Sequence, residues 1–148
     1  MKYFAVVAAL AASALAQTIA IASPAANSTV YPGQWLTVEV DKPNSLSASI
    51  EVALVLSMAP CPPAGCTDPS YDPAARLGAI LYNGPFSPVL HPEASGRPPY
   101  EDFSVQVPSA FVVGEQVALI ATHAAMIGAG PEPFMETKFV PLTVVSGP

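Results

Sequence analysis

The side chains in this chain that could do chemistry are few and widely spaced. Cys61 and Cys66 are the only cysteines, set in Cys61-Pro62-Pro63-Ala64-Gly65-Cys66. In a chain that leaves the cytosol, an even count reads as a disulfide. Redox motifs put two residues between their cysteines, and this wider, proline-containing spacing reads as structural instead. The loop it closes is short, so the chain-entropy argument gives about 2 kcal/mol, a local staple rather than what holds the fold. His91 and His123 are the only histidines, they are far apart, and no His-x-x-x-His pair exists to hold a metal. A copper centre built on an N-terminal histidine is excluded as well, because Gln17 stands at the first position after the cleavage site described below.

Nucleophilic and acid–base constellations are missing too. No Gly-x-Ser-x-Gly elbow occurs, and Ser95-Gly96 and Ser146-Gly147 fall in a loop and a tail. Glu39, Asp41 and Glu51 could come near one another, as a pair of glycosidic carboxylates would, but alternation puts each on the solvent face of a strand. His123 closes an apolar strand face after Val117, Leu119 and Ala121. It is expected at the edge of the core, hydrogen-bonded to a loop carbonyl rather than serving as a base. Trp35 shares the polar face of its strand with Thr37 and Glu39 and is expected to pack beneath a loop. The reading is therefore a non-enzymatic chain with no catalytic residue, no metal and no cofactor. Asn27-Ser28-Thr29 is an N-glycosylation sequon in a turn.

The elements that position these residues read as all-β. Met1–Ala16 has the form of a secretory signal peptide: Lys2, then an apolar run from Phe4 to Leu15 too short to span a bilayer, then Ala14-Leu15-Ala16 as cleavage site. The remainder, 17–148, is the size of one domain. The chain has a net charge of −6 and loses one positive charge with Lys2, leaving −7. Without a basic cluster, nucleic acid and anionic membrane are not expected partners. Eighteen prolines leave little room for helices, whereas short alternating runs bounded by Pro, Gly, Asn and Ser are abundant. Strands are expected at 18–22, 35–41, 50–58, 77–82, 103–107, 116–123 and 138–145. Ile50, Val52, Leu54, Leu56 and Met58 share the buried face of the third. Pro141 argues for an edge or a bulge in the last. About seven strands over this length predict a two-sheet β-sandwich of the immunoglobulin/fibronectin type.

The stretch from Leu81 to Phe103 stands apart. It is rich in proline and aromatics and has neither period, and irregular segments of such length are uncommon in small domains. Leu81 to Phe86 is expected to finish a strand and seal the core. His91 to Tyr100 is the exposed part. Tyr82, Phe86, His91, Arg97 and Tyr100 are the candidate interaction residues, since aromatics and arginine dominate interface hot spots.

Within it, the run Leu77-Gly78-Ala79-Ile80-Leu81-Tyr82-Asn83-Gly84-Pro85-Phe86-Ser87-Pro88 carries a resemblance. So do Pro43-Asn44-Ser45-Leu46, Arg97-Pro98-Pro99-Tyr100-Glu101-Asp102-Phe103 and Gly128-Ala129-Gly130-Pro131. In this order, with the Cys-x4-Cys loop between, they resemble the necrosis-inducing secreted protein (NIS-type) family of fungal effectors. The resemblance implies a secreted, non-catalytic protein that suppresses plant pattern-triggered immunity. It would do so by associating with immune kinases, a receptor co-kinase and a receptor-like cytoplasmic kinase, and it would trigger cell death when overexpressed. Reaching the intracellular parts of such kinases would require delivery into the host cell. The residues alone leave a second reading open: a structural or carbohydrate-associated module of the fungal cell wall.

Overall fold

Alternation of apolar and polar side chains along extended backbone buries one face of a strand and wets the other. Between Trp35 and Asp41 it puts Val38 and Val40 fully inside and Glu39 and Asp41 on the opposite face. The computed structural model describes residues 18–45 and 47–148. The expected leader, Gln17 and Leu46 lie outside the described residues. Over the described part the chain is all-β. Its strands are β1 (Ala20–Ser23), β2 (Thr29–Val30), β3 (Trp35–Asp41), β4 (Ser49–Pro60), β5 (Ala79–Gly84), β6 (Tyr100–Gln106), β7 (Gln116–Ile127) and β8 (Glu132–Val144).

A sheet of order β1-β3-β6 faces a larger one of order β2-β8-β7-β4-β5. Pairing is antiparallel throughout, except that β2 runs parallel to β8 at Thr29↔Thr143 and Val30↔Val144. This is the immunoglobulin/fibronectin-like sandwich. Val38, Leu54, Leu56, Val105, Leu119 and Leu142 meet between the sheets, each contributing about 1.5–3 kcal/mol by leaving water.

Several elements depart from the expected boundaries for physical reasons. The extra strand is β2, whose two residues are too few to show a period. The expected strand at 77–82 begins at Ala79, because Gly78 takes φ +72°. The last strand starts at Glu132 rather than Lys138, since β7 runs on to Ile127 and holds Glu132 opposite it. Pro141 lies where β8 is locally an edge: β2 reaches only Thr143 and Val144, and the Pro141 carbonyl accepts the Asn27 N–H at 2.7 Å. Trp35 is not packed beneath a loop; it is 68% exposed.

Cys61 and Cys66 form the expected disulfide. It opens the long connection from β4 to β5, which folds back over the outer face of the larger sheet. There Ala59, Cys66, Ala118 and Ile120 make a second apolar cluster with Tyr71 and Phe139, the two rings meeting edge to face at 5.3 Å. Gln116 fastens the loop, its Oε1 accepting the Cys66 N–H and its carbonyl the Cys61 N–H, both at 2.9 Å.

The connection re-enters the sheet at Gly78, where a Cβ would come within 2.4 Å of the Met58 carbonyl and 2.7 Å of the Ala59 Cβ. Positive φ and this close approach both require glycine. Gly78→Ala is therefore expected to lower the free energy of unfolding by about 1–3 kcal/mol or more, measured by urea titration. An unchanged midpoint would show that the loop does not need this approach.

Candidate functional site

The most unusual chemistry in the fold arises from one extra residue in β4. Glu51 pairs with Ala125 and Ala53 with Ala124, leaving Val52 without a partner. A bulge of this kind reverses the in–out alternation beyond it. Leu54, Leu56 and Met58 point inward as expected, but Ile50 and Val52 are 59% and 52% exposed. Glu51 takes the inward place instead. Its expected position on a solvent face is overturned by the bulge.

Across the sheet, His123 on β7 lies opposite Glu136 on β8 and Leu54 on β4. The imidazole is fully buried, with Nδ1 3.2 Å from Glu136 Oε1 and Nε2 hydrogen-bonded to Glu51 Oε2. Its expected partner, a loop carbonyl, is thus replaced by two carboxylates. Ionised carboxylates only accept, so both ring nitrogens donate and the ring carries a full charge. Burial alone would push the His123 pKa down; the hydrogen bonds and charges of Glu136 and Glu51 outweigh it and hold the pKa above the ordinary imidazole value. Burial likewise pushes the Glu51 carboxyl up. The bonds from His123 and Ser49 and the charges of Lys42 and His123 overcome this and hold it below the usual range.

The cluster extends at both ends. Ser49 Oγ donates to Glu51 Oε1 at 2.6 Å and accepts from Lys42 Nζ at 3.3 Å, and that ammonium lies 3.6 Å from the same carboxylate. On the far side, Glu136 Oε1 accepts the Ile19 N–H at 2.8 Å, and Lys138 Nζ stands 3.5 Å from Oε2. Lys42, Glu51, His123, Glu136 and Lys138 therefore form a row of alternating sign through the sandwich. The Phe86 ring meets the imidazole edge-on at 5.5 Å and closes the site from the Leu81–Phe103 segment. Lys42 and Glu51 also line a cleft of about 470 Å³, walled by Ser45, Ser49, Phe86 and Ser87. With both nitrogens committed and no exposure, the imidazole has no lone pair left for a base. What the arrangement does is hold charge.

The candidate interaction residues separate into two groups. Tyr82 packs on Phe103 at 4.6 Å between ring centroids, and its hydroxyl donates to the Pro85 carbonyl at 2.6 Å. Phe86 is buried, so these two serve the core. His91, Arg97 and Tyr100 gather on the outside. The His91 ring stacks on Tyr100 at 3.9 Å and 17°, and the Arg97 guanidinium lies 4.6 Å from the centre of the same ring. Arg97 is hydrogen-bonded to Glu39 and stands 3.7 Å from Asp41, which fastens the loop to the outer face of the smaller sheet. Burial and the neighbouring Glu39 push the Asp41 carboxyl up, against the pull of Arg97. Asn27 is exposed at a turn with φ 65°, open to solvent as a sequon asparagine must be.

Residues 14–143 match the Nis1 family, a span covering most of the chain. The chain belongs to the Nis1 family. The resemblance carried by the Leu77–Pro88 run and its companions is thereby shown, and with it the kind of protein, a necrosis-inducing effector. No curated protein matches the chain. In this Nis1-family chain, Glu136 and Lys42 are the site residues that sequence reading missed, and Glu51 is one that it placed on the wrong face. The bulge that inverts Glu51 leaves no mark in a continuous alternating run. Glu136 could have been found only by carrying β8 back two residues from its expected start at Lys138.

The charged row fixes a pH dependence. His123 has its pKa raised, so its contribution is complete below the ordinary imidazole value of 6.5 and lost as pH rises through the raised value. Glu51 has its pKa lowered, so its contribution is present above the ordinary value of 4.5 and lost as pH falls through the lowered one. Thermal unfolding is expected to show a plateau spanning these two values and a decline on the alkaline side. His123→Gln should remove the alkaline decline and cost about 3–5 kcal/mol, as breaking a buried ion pair does. An alkaline limb that survives the substitution would assign it to another group.

Proposed function

We propose that the protein is a secreted fungal effector that suppresses plant pattern-triggered immunity by binding immune kinases, without catalysis. The family match over 14–143 carries this reading. The signal-peptide pattern of Met1–Ala16 and the single disulfide accord with passage through an oxidising secretory route. Binding of the kinases' intracellular parts adds a requirement for delivery into the host cell.

The His91–Arg97–Tyr100 stack is the contact surface we assign to the kinase. It combines an aromatic, a guanidinium and stiff proline-rich backbone, already ordered by Glu39 and Asp41. A surface ordered in advance loses little entropy on docking. The second reading, a carbohydrate-associated wall module, is favoured by the exposure of Trp35, a ring free to stack on a sugar.

Expressed with its leader in leaf tissue, the protein is expected to blunt the oxidative burst provoked by a bacterial elicitor. Arg97→Ala combined with Tyr100→Ala should restore the burst while thermal stability barely changes, since an exposed ion pair is worth about 0.2–1 kcal/mol. An unaltered burst with the wild-type protein present would contradict the effector reading. Retention on chitin or β-glucan that is lost in Trp35→Ala would put the wall module in its place.

A further inference from the structure

An ammonium taken out of water needs acceptors for its three N–H groups, because an ion left short of partners is costly to bury. Lys42 is such an ammonium. Its side chain is only 9% exposed, its backbone N–H is tied to the Pro99 carbonyl at 2.8 Å, and it lines the cleft of about 470 Å³. Among the described residues, one acceptor takes a hydrogen bond from it, Ser49 Oγ at 3.3 Å. Glu51 Oε1 at 3.6 Å attracts the charge but stands beyond hydrogen-bond reach. At the far end of the charged row, Lys138 is 40% exposed and meets water. Lys42 has the cleft instead.

The balance of the row leaves that end positive. Lys42, His123 and Lys138 are opposed by Glu51 and Glu136, three cations to two carboxylates. Further donors line the same cleft: the Asn44 amide and Ser47 hydroxyl from the connection between β3 and β4, and the Ser87 hydroxyl from the segment after β5. Backbone groups of the two serines are already bonded, the Ser47 carbonyl by Ser45 and the Ser87 N–H by Glu101. Their hydroxyls and the Asn44 amide have no hydrogen-bond partner among the described residues. The carboxylates beside the cleft are engaged: Glu51 accepts from His123 and Ser49, and Glu101 accepts the Ser87 N–H at 2.6 Å. The volume falls within the range of small-molecule clefts, about 300–1,000 Å³.

We propose that this cleft binds a phosphoryl group, with Lys42 as its counter-ion and Asn44, Ser47 and Ser87 as further hydrogen-bond donors. A phosphate monoester carries close to two negative charges and three strong acceptor oxygens. Its oxygens are spread over a tetrahedron, so donors from the end of β3, from the β3–β4 connection and from the segment after β5 each find one. A carboxylate offers two oxygens in one plane. The bound anion would also continue the alternation of the row by one sign, pairing a buried charge that is already there instead of adding a new one. Two sources carry this chemistry, free phosphate and a phosphorylated serine or threonine side chain. The proposal does not rest on the kinase reading.

The test is an amide NMR titration of the purified protein with sodium phosphate, ionic strength being held constant with sodium chloride. The Ser49 and Ser87 signals are expected to shift saturably, with a Kd of about 1 mM or tighter, and acetate should leave them in place. A phosphoserine peptide that binds at least about tenfold tighter than phosphate would identify a phosphorylated side chain as the source; equal or weaker binding would identify free phosphate. Ser87→Asp and, separately, Ser47→Asp put a carboxylate into the cleft from exposed positions. Each should abolish the shifts and leave the unfolding midpoint unchanged. Shifts that grow without saturating would overturn the proposal. So would acetate acting as well as phosphate, or binding indifferent to both substitutions.

Discussion

A charged histidine with no access to water, held between two carboxylates, is the constraint on which the rest of this sandwich depends. An unpaired ion in such a place is intolerable. The fold therefore supplies Glu51 from β4 and Glu136 from β8, on either side of His123 on β7. Lys42 and Ser49 support the first carboxylate; in the second, Oε1 accepts the Ile19 N–H while Oε2 accepts no hydrogen bond and has only the Lys138 ammonium 3.5 Å away. The network thus ties the three longest strands to the chain entering β1 and to the segment between β3 and β4. Phe86 lies edge-on against the imidazole, so the Leu81–Phe103 segment is anchored to the same point. A buried network of this sort fixes register, because a one-residue slip in β4 or β8 would strand a charge.

Much of the fold was legible because alternation is a direct record of burial. Trp35–Asp41 has the same bounds in sequence and structure, and Phe103, Val105 and Val107 point inward as their spacing requires. The disulfide followed from cysteine count and spacing together with the secretory pattern of the leader. The site was much less legible. His123 could be placed on an inward face, but not its partners. A bulge changes the parity of a strand without changing its composition, so Ile50-Glu51-Val52-Ala53-Leu54 reads as unbroken alternation. Lys42 follows β3 with nothing in its neighbours to mark it as buried. Trp35 illustrates the opposite failure, a large apolar ring that no loop covers.

The long irregular segment does two jobs, divided near Phe86. Its first part belongs to the core, where Tyr82 and Phe86 pack around Phe103. Its second part is drawn back onto the smaller sheet by Arg97, which presents the stack of His91 and Tyr100 to solvent in a fixed arrangement. Such a surface suits a protein that works by contact, in keeping with the effector family to which the chain belongs.

The charge on His123 is the claim from which the register, the pH dependence and the anchoring of the long segment all follow. It can be read directly by following the imidazole carbon and nitrogen resonances in an NMR titration of the folded protein. The account predicts that His123 remains doubly protonated past the ordinary imidazole value of 6.5, with both ring N–H signals in slow exchange with water. A neutral ring at or below that value, or a single ring N–H, would contradict it.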